Sequence, residues 1–157
     1  MLRAPWLTQD YVKDPMASDH LWAGGYLHTS DVAALTPEGY VRITDRMKDV
    51  IKTGGEWVSL LQIEDLITHH AGVAEAAVIG LKDEVWGERP MALVVRDASV
   101  SEPLGEADVK AHLKVFAETG IISKYGVPDR IVFVDGLPRT SVGKIDKKKL
   151  REQYGDA

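Results

Sequence analysis

The sequence predicts an α+β fold, a mixed α/β domain with helices packed on a small sheet, preceded by a short β-rich piece. Three observations predict it. AEAAVIGL (74–81), RPMALVVRD (89–97) and DRIVFVDGL (129–137) are apolar runs with the length of buried strands. Leu60, Ile63, Leu66 and Ile67 recur at helical spacing, and so do Val109, Leu113 and Phe116. Between Asp49 and Leu60, two short strand-like pieces flank a Gly-Gly pair, which marks a tight reversal.

Residues 1–44 differ from the rest. Pro5, Pro15 and Pro37 with Gly24, Gly25 and Gly39 break them into short pieces. GGYLHT and GYVRIT read as strands divided by the turn TPEG. Too few apolar residues are present to close an independent core, so this part is expected to pack on something else.

From Asp45 the pattern is richer. DVIK (49–52) and EWVSL (56–60) form the arms of a hairpin about Thr53-Gly54-Gly55. Ser59 and Gln62 have capping-box spacing, so a helix is expected from Leu60 to His70, with Gly72 just beyond its end. KDEVWGE is a polar loop between the next two strands. A second helix follows Pro103 over residues 105–118, then the third apolar strand. Asp146 is a candidate cap for a last helix, KKKLREQY. The predicted order from Asp45 is strand, strand, helix, strand, strand, helix, strand, helix.

Composition bounds function. The chain has 157 residues, close to one domain on the usual length scale. No apolar run reaches the roughly 20 residues of a membrane span, and Met1–Pro5 is not followed by an apolar stretch, so no secretory signal is expected. There is no cysteine, which excludes disulfides, thiolate metal sites and cysteine nucleophiles. The expected compartment is the cytoplasm. A net charge of −5 argues against a dedicated nucleic-acid binder. Within residues 141–157, however, Lys144, Lys147, Lys148, Lys149 and Arg151 outnumber Asp146, Glu152 and Asp156.

Two stretches could carry chemistry. LPRTSVGKIDKKKL (137–150) contains a Gly-Lys pair, but it is no phosphate P-loop. Gly136 is too far from Gly143, and Ile145 stands where a magnesium-binding hydroxyl is needed. Lys147, Lys148 and Lys149 fall in the first turn of the last helix, where positive charge opposes the macrodipole. Breaking a local rule in this way marks functional sites, and with Lys144 these side chains would form an anion-attracting patch. A solvated basic face reads equally well. In DRMKDVIKTGGEWV (45–58), Arg46, Lys48 and Lys52 alternate along an extended chain that leads into the glycine turn. Exposed edge charges explain that pattern as well as a ligand does.

The five histidines suggest no metal site, because His69 and His70 are adjacent and point about 100° apart on a helix. Asp83, Glu84 and Glu88 read as a solvated loop. Trp86 could cover the sheet, and Trp57 reads as a packing residue.

Taken in order, GGYLHTSD (24–31), GYVRITDRMKDVIKTGGEWV (39–58), AEAAVIGLKDEVWGERP and PRTSVGKID (138–146) resemble the C-terminal part of the acyl-adenylate-forming enzymes. These are the acyl-CoA synthetases of the AMP-binding superfamily, and the likeness is greatest to fatty acid–CoA ligases. The resemblance covers nearly the whole chain. It implies a reaction in two steps: a carboxylic acid and ATP give acyl-AMP, and coenzyme A then takes the acyl group after the small domain rotates. It implies that residues 1–47 end a large N-terminal adenylation domain and that residues 48–157 are the small C-terminal lid, with the hinge at Lys48.

The same resemblance assigns residues. Asp31 matches the aspartate that binds the AMP ribose hydroxyls, and Arg46 the arginine beside ribose and phosphate. Lys144 matches the lysine that bridges carboxylate and phosphate during adenylation, where a cation stabilises developing negative charge. Lys52, Gly54, Gly55 and Glu56 match the face presented to coenzyme A, and Trp86 could then cover the nucleotide end of coenzyme A instead of the sheet. Magnesium accompanies ATP in such enzymes, and no ligand for it is identified here. Ser30 departs from the pattern by standing where the family has glycine; if that glycine needs a positive φ, Ser30 is strained. The phosphate loop, the acyl pocket and most of the adenine pocket are not in these residues. The chain is therefore expected to be a fragment, inactive alone. A reading from another class is a non-catalytic relic that binds a nucleotide, coenzyme A or a protein.

Overall fold

The computed structural model describes residues 1–102 and 104–155; Pro103, Asp156 and Ala157 lie outside them. The chain divides into two compact units, Met1–Lys48 and the residues from Asp49 onward.

The first unit holds α1 (Pro15–Leu21), β1 (Asp31–Leu35) and β2 (Val41–Arg46). Asp14 caps α1 by accepting from the Ala17 amide at 3.0 Å, and Pro15 supplies a preset φ at the first helical position. β1 and β2 pair antiparallel across the TPEG turn, with a bulge between Val32 and Ala33. The predicted GGYLHT strand does not form. Gly24 and Gly25 take φ of +69° and +79° in a 3-10 turn, and only Leu27 pairs, with Leu2. Its place is taken by DVAAL. Leu21 and Leu27 are the buried apolar residues of this unit, whereas Leu35, Val41 and Ile43 are exposed. The core is as thin as the composition suggests.

The second unit contains β3 (Val50–Thr53), β4 (Glu56–Ser59), α2 (Leu60–Thr68), β5 (Val73–Asp83), β6 (Gly87–Arg96), α3 (Glu106–Glu118), β7 (Arg130–Phe133) and α4 (Lys147–Tyr154). Element order agrees with the sequence reading. The sheet runs β4-β3-β6-β5, and β7 pairs parallel with β6. Because β5 occupies one edge of β6 along its length, β3 and β7 share the other. β3 meets its start through Thr53 and Gly87, and β7 lies along Met91–Val94.

The central stretches of β5 and β6, residues 76–81 and 90–95, are apolar because both sheet faces are covered there. Ala76, Val78, Ala92 and Val94 face α2 and α3 in one cluster with Ile63, Ile67, Val109 and Leu113. Ala77, Ile79, Met91 and Leu93 face the opposite way, in a cluster with Leu137 and Leu150 of α4. The period-two alternation of strand side chains sorts them.

Several boundaries differ from expectation. The strands flanking KDEVWGE extend into it, leaving Glu84–Trp86 as the turn; Asp83 Oδ1 closes it by accepting the Val85 and Trp86 amides at 2.9 and 2.8 Å. α2 stops at Thr68, with His69 as its cap. Only half of the expected capping box forms: Ser59 Oγ accepts the Gln62 amide at 3.0 Å, while the Gln62 side chain donates to Ile121 O at 3.1 Å. β7 ends at Phe133, and the chain then turns toward Leu137.

Candidate active-site surfaces

In the first unit, Asp31 opens β1 and Arg46 closes β2, so antiparallel pairing makes them register partners. Arg46 Nε lies 3.4 Å from Asp31 Oδ1. Thr29 Oγ1 accepts the Asp31 amide at 3.3 Å, and Ser30 O accepts the Met47 amide at 2.9 Å. Ser30 has φ of +58°, the left-handed region that favours glycine. The predicted strain is present.

Arg46, Lys48 and Lys52 do not alternate along one extended chain. Met47–Asp49 forms a 3-10 turn, and it divides Arg46 on β2 from Lys52 on β3. Lys52 pairs across β3–β4 with Trp57, and its Nζ lies 6.0 Å from the indole centroid. Trp57 is 66% exposed, so it is not the packing residue expected.

Gly54 and Gly55 form the two-residue turn between β3 and β4, with φ of +58° and +84°. A Cβ on Gly54 would come within 3.0 Å of the Tyr125 ring, whereas Gly55 has open space. Gly54 N donates to Trp86 O at 3.4 Å, and Trp86 stacks at 5.5 Å on Tyr125. Glu56 accepts a hydrogen bond from Ser123 Oγ. Lys52, Gly54, Gly55 and Glu56 thus form one surface, backed by Trp86, Ser123 and Tyr125.

Lys144 sits in a separate turn. Arg139 pairs with Ile145, the Thr140 amide donates to Lys144 O at 2.7 Å, and the Gly143 amide donates to Thr140 O at 2.9 Å. Gly143 closes the turn with φ of +80°. Arg139 braces it by donating to Gly143 O at 2.9 Å and by pairing with Glu75 near the start of β5. The Lys144 ammonium is exposed and has no partner among the described residues.

The two surfaces lie at opposite ends of the β5–β6 hairpin. The Lys144 turn is tied to Glu75, and the glycine turn to Trp86 beyond Asp83. The strand between Glu75 and Asp83 spans about 26 Å at ~3.3 Å per residue.

The expected patch of four lysines is not one patch. Asp146 caps α4, with Oδ1 accepting the Lys149 amide at 3.1 Å. Lys148 pairs with Glu152. Lys147 turns inward, its side chain 13% exposed, with Nζ 2.8 Å from Glu64 Oε1 and 3.8 Å from Asp49 Oδ1. Arg151 reaches Asp49 Oδ1 at 3.2 Å, and Glu64 Oε1 accepts the Val78 amide at 2.6 Å. Burial pushes the Glu64 carboxyl above its ordinary value, and the Lys147 cation and the Val78 amide oppose that shift. Sequence reasoning missed this cluster, although one signal was available. Glu64 is an acid within the apolar stripe of Leu60, Ile63 and Ile67, so it had to face inward.

His69, His70 and His112 are engaged by backbone carbonyls or by each other. His69 Nδ1 lies 2.6 Å from Asp65 O, His112 Nε2 lies 2.8 Å from Leu66 O, and the His70 ring meets His112 edge-on at 5.2 Å. Among the described residues, no cluster of three or more His, Cys, Asp or Glu could hold a metal, and no helix is long and apolar enough to cross a membrane.

Comparison with known proteins bears on the family and the fold. The family model for the AMP-binding enzyme C-terminal domain matches residues 62–144. The 3-methylmercaptopropionyl-CoA ligase of Ruegeria lacuscaerulensis is 41% identical over 157 residues, which is 100% of this chain and 28% of the ligase. The long-chain-fatty-acid–CoA ligase of Thermus thermophilus is 40% identical over 154 residues, 98% of this chain and 27% of that enzyme. The crystal structure of ATP-bound MatB from Rhodopseudomonas palustris superposes with a TM-score of 0.84 at 35% identity, over 98% of this chain and 29% of MatB. The chain thus spans little more than a quarter of these relatives. Its mixed sheet, helices and match over more than half its length place it among the C-terminal domains of AMP-binding enzymes, the family to which it belongs.

Proposed function

We propose that this chain is the C-terminal catalytic lid of an ATP-dependent acid–CoA ligase acting on fatty acyl acids. The carrying observation is that Lys144 and the Lys52–Glu56 turn occupy opposite ends of one β5–β6 hairpin. Their attachment points on β5, Glu75 and Asp83, are about 26 Å apart along the strand, too far for both surfaces to serve one reacting centre together. Two surfaces on one rigid unit suit two successive half-reactions, each with one surface turned to the substrate.

Each surface has chemistry for its step. The unpaired Lys144 ammonium would stabilise charge on the carboxylate and phosphate oxygens as acyl-AMP forms. The glycine turn, with little side chain to obstruct it and Tyr125 and Trp86 behind it, would line the path of the coenzyme A thiol arm. Asp31 could accept from ribose hydroxyls, and Arg46 could pair with phosphate. ATP and coenzyme A are substrates in this scheme, and magnesium would enter with ATP. Residues 1–47 would complete a large adenylation domain, with Lys48 as the hinge. The fatty acyl class rests on likeness to the Thermus thermophilus ligase, since the acyl pocket lies outside these residues.

The test is to assay the chain alone and joined to the preceding part of the Ruegeria lacuscaerulensis ligase. Alone, it should form no acyl-AMP and show no tight calorimetric binding of AMP, ATP or coenzyme A; joined, it should form acyl-CoA. Tight binding by the isolated chain, with no activity when joined, would instead support a binding relic.

A further inference from the structure

Lys147 belongs to the basic C-terminal run, yet its ammonium is enclosed between the carboxylates of Glu64 and Asp49. Each carboxylate has a second engagement: Glu64 Oε1 with the Val78 amide, and Asp49 Oδ1 with Arg151. The cluster therefore joins four places in the second unit. Asp49 is the first residue of that unit and leads into β3. Glu64 projects from α2, Val78 lies in β5, and Lys147 and Arg151 stand one turn apart on α4.

A buried ion pair is a poor device for stability, since apolar residues of the same volume serve as well, but it can fix geometry. The geometry fixed here is the start of α4. Lys147 is the first residue of that helix, and Asp146, its cap, donates its amide to Pro138 O at 2.7 Å. The turn carrying Lys144 thus lies between two anchors: Arg139 on Glu75 before it, and Lys147 on Glu64 and Asp49 after it. We propose that Lys147 is a positioning residue, held by Glu64 and Asp49, that fixes the Lys144 turn relative to the sheet and to the first residue of the unit. The proposal rests on the reading of Lys144 given above. It assigns Lys147 no contact with substrate.

Amide hydrogen exchange on the 157-residue chain tests it, using Lys147→Met, Lys147→Arg and Glu64→Gln. Lys147→Met should speed exchange at Thr140, Gly143 and Asp146, the amides that hold the turn, by about tenfold or more while Ala92 and Leu93 in β6 are unchanged. Lys147→Arg should restore protection. Should Lys147→Met fail to fold, Glu64→Gln keeps an acceptor for the Val78 amide and is expected to produce the same local pattern at smaller size. Unchanged turn amides would overturn the proposal, and so would a parallel rise in turn and β6 amides, which would show general stabilisation only. In the joined enzyme, Lys147→Met should slow acyl-AMP formation and spare transfer from preformed acyl-AMP to coenzyme A. Lys144→Ala serves as the control. If Lys144→Ala leaves adenylation intact, the reading of Lys144 fails while the exchange result stands. If Lys144→Ala abolishes adenylation and Lys147→Met does not slow it, only the positioning role fails.

Discussion

Arg46 Nε lies 3.4 Å from Asp31 Oδ1, and the two residues are register partners at the end of the β1–β2 hairpin. The Arg46 side chain is 56% exposed, so the pair contributes at most about 1 kcal/mol to folding. In the proposed function its value would lie in presenting an acceptor and a cation side by side. Asp31→Asn should change unfolding free energy by less than ~1 kcal/mol. In the joined enzyme it should weaken AMP binding by about 10- to 100-fold, the scale of a lost charged hydrogen bond. Denaturant titration and AMP calorimetry on the same variant separate the two effects.

Ser30 stands at φ of +58°, where an L-residue carries a steric penalty and glycine does not. Ser30→Gly relieves that strain at some entropic cost in the unfolded chain. A net gain of about 0.5–1 kcal/mol is expected, read as a higher denaturant midpoint for the first unit. A loss of stability would show that the serine side chain supplies something beyond its backbone.

The two glycines of the β3–β4 turn should respond unequally. Both have positive φ, but only at Gly54 would an added Cβ come within 3.0 Å of the Tyr125 ring. Gly55→Ala should cost about 1 kcal/mol from backbone conformation alone. Gly54→Ala adds the clash and should cost about 2–3 kcal/mol, by unfolding measured on both variants. In the joined enzyme, Gly54→Ala should slow transfer to coenzyme A more than adenylation.

Glu64 gives a signed pH dependence. Burial raises its carboxyl above the ordinary value of 4.5, so the folded chain holds this proton more tightly than the unfolded chain does. The associated stability is full below the unfolded value and is lost as pH rises through the folded value. Stability of the native chain relative to Glu64→Gln should therefore fall with rising pH across the window above 4.5 and then level off. Parallel denaturation curves across that range check the sign.

The sequence made the second unit legible because its signals were strong and local. β5 and β6 were continuous apolar runs, α2 and α3 had helical period, and Asp146 stood where a cap belongs. The first unit was harder. β1 begins with aspartate and contains Ala33 and Ala34, weak strand formers, so YLHT looked like the better strand. Asp14-Pro15 is the one strong local signal in this unit, a cap followed by a preset φ at the start of α1. Trp57 and Lys147 were misjudged for a common reason: which side of the fold a side chain meets depends on distant chain. Lys147 looked solvated because nothing nearby in sequence shows that Glu64 and Asp49 will enclose it.

The central claim is that one small domain carries two surfaces for two steps. Its most direct test is to measure the half-reactions separately in the joined enzyme, with Lys144→Ala and Lys52→Ala compared. Lys144→Ala should lower acyl-AMP formation by about 100-fold or more while transfer from preformed acyl-AMP to coenzyme A stays near that of the unmodified enzyme. Lys52→Ala should show the reverse preference. Equal effects of Lys144→Ala on both half-reactions, or on neither, would contradict the account.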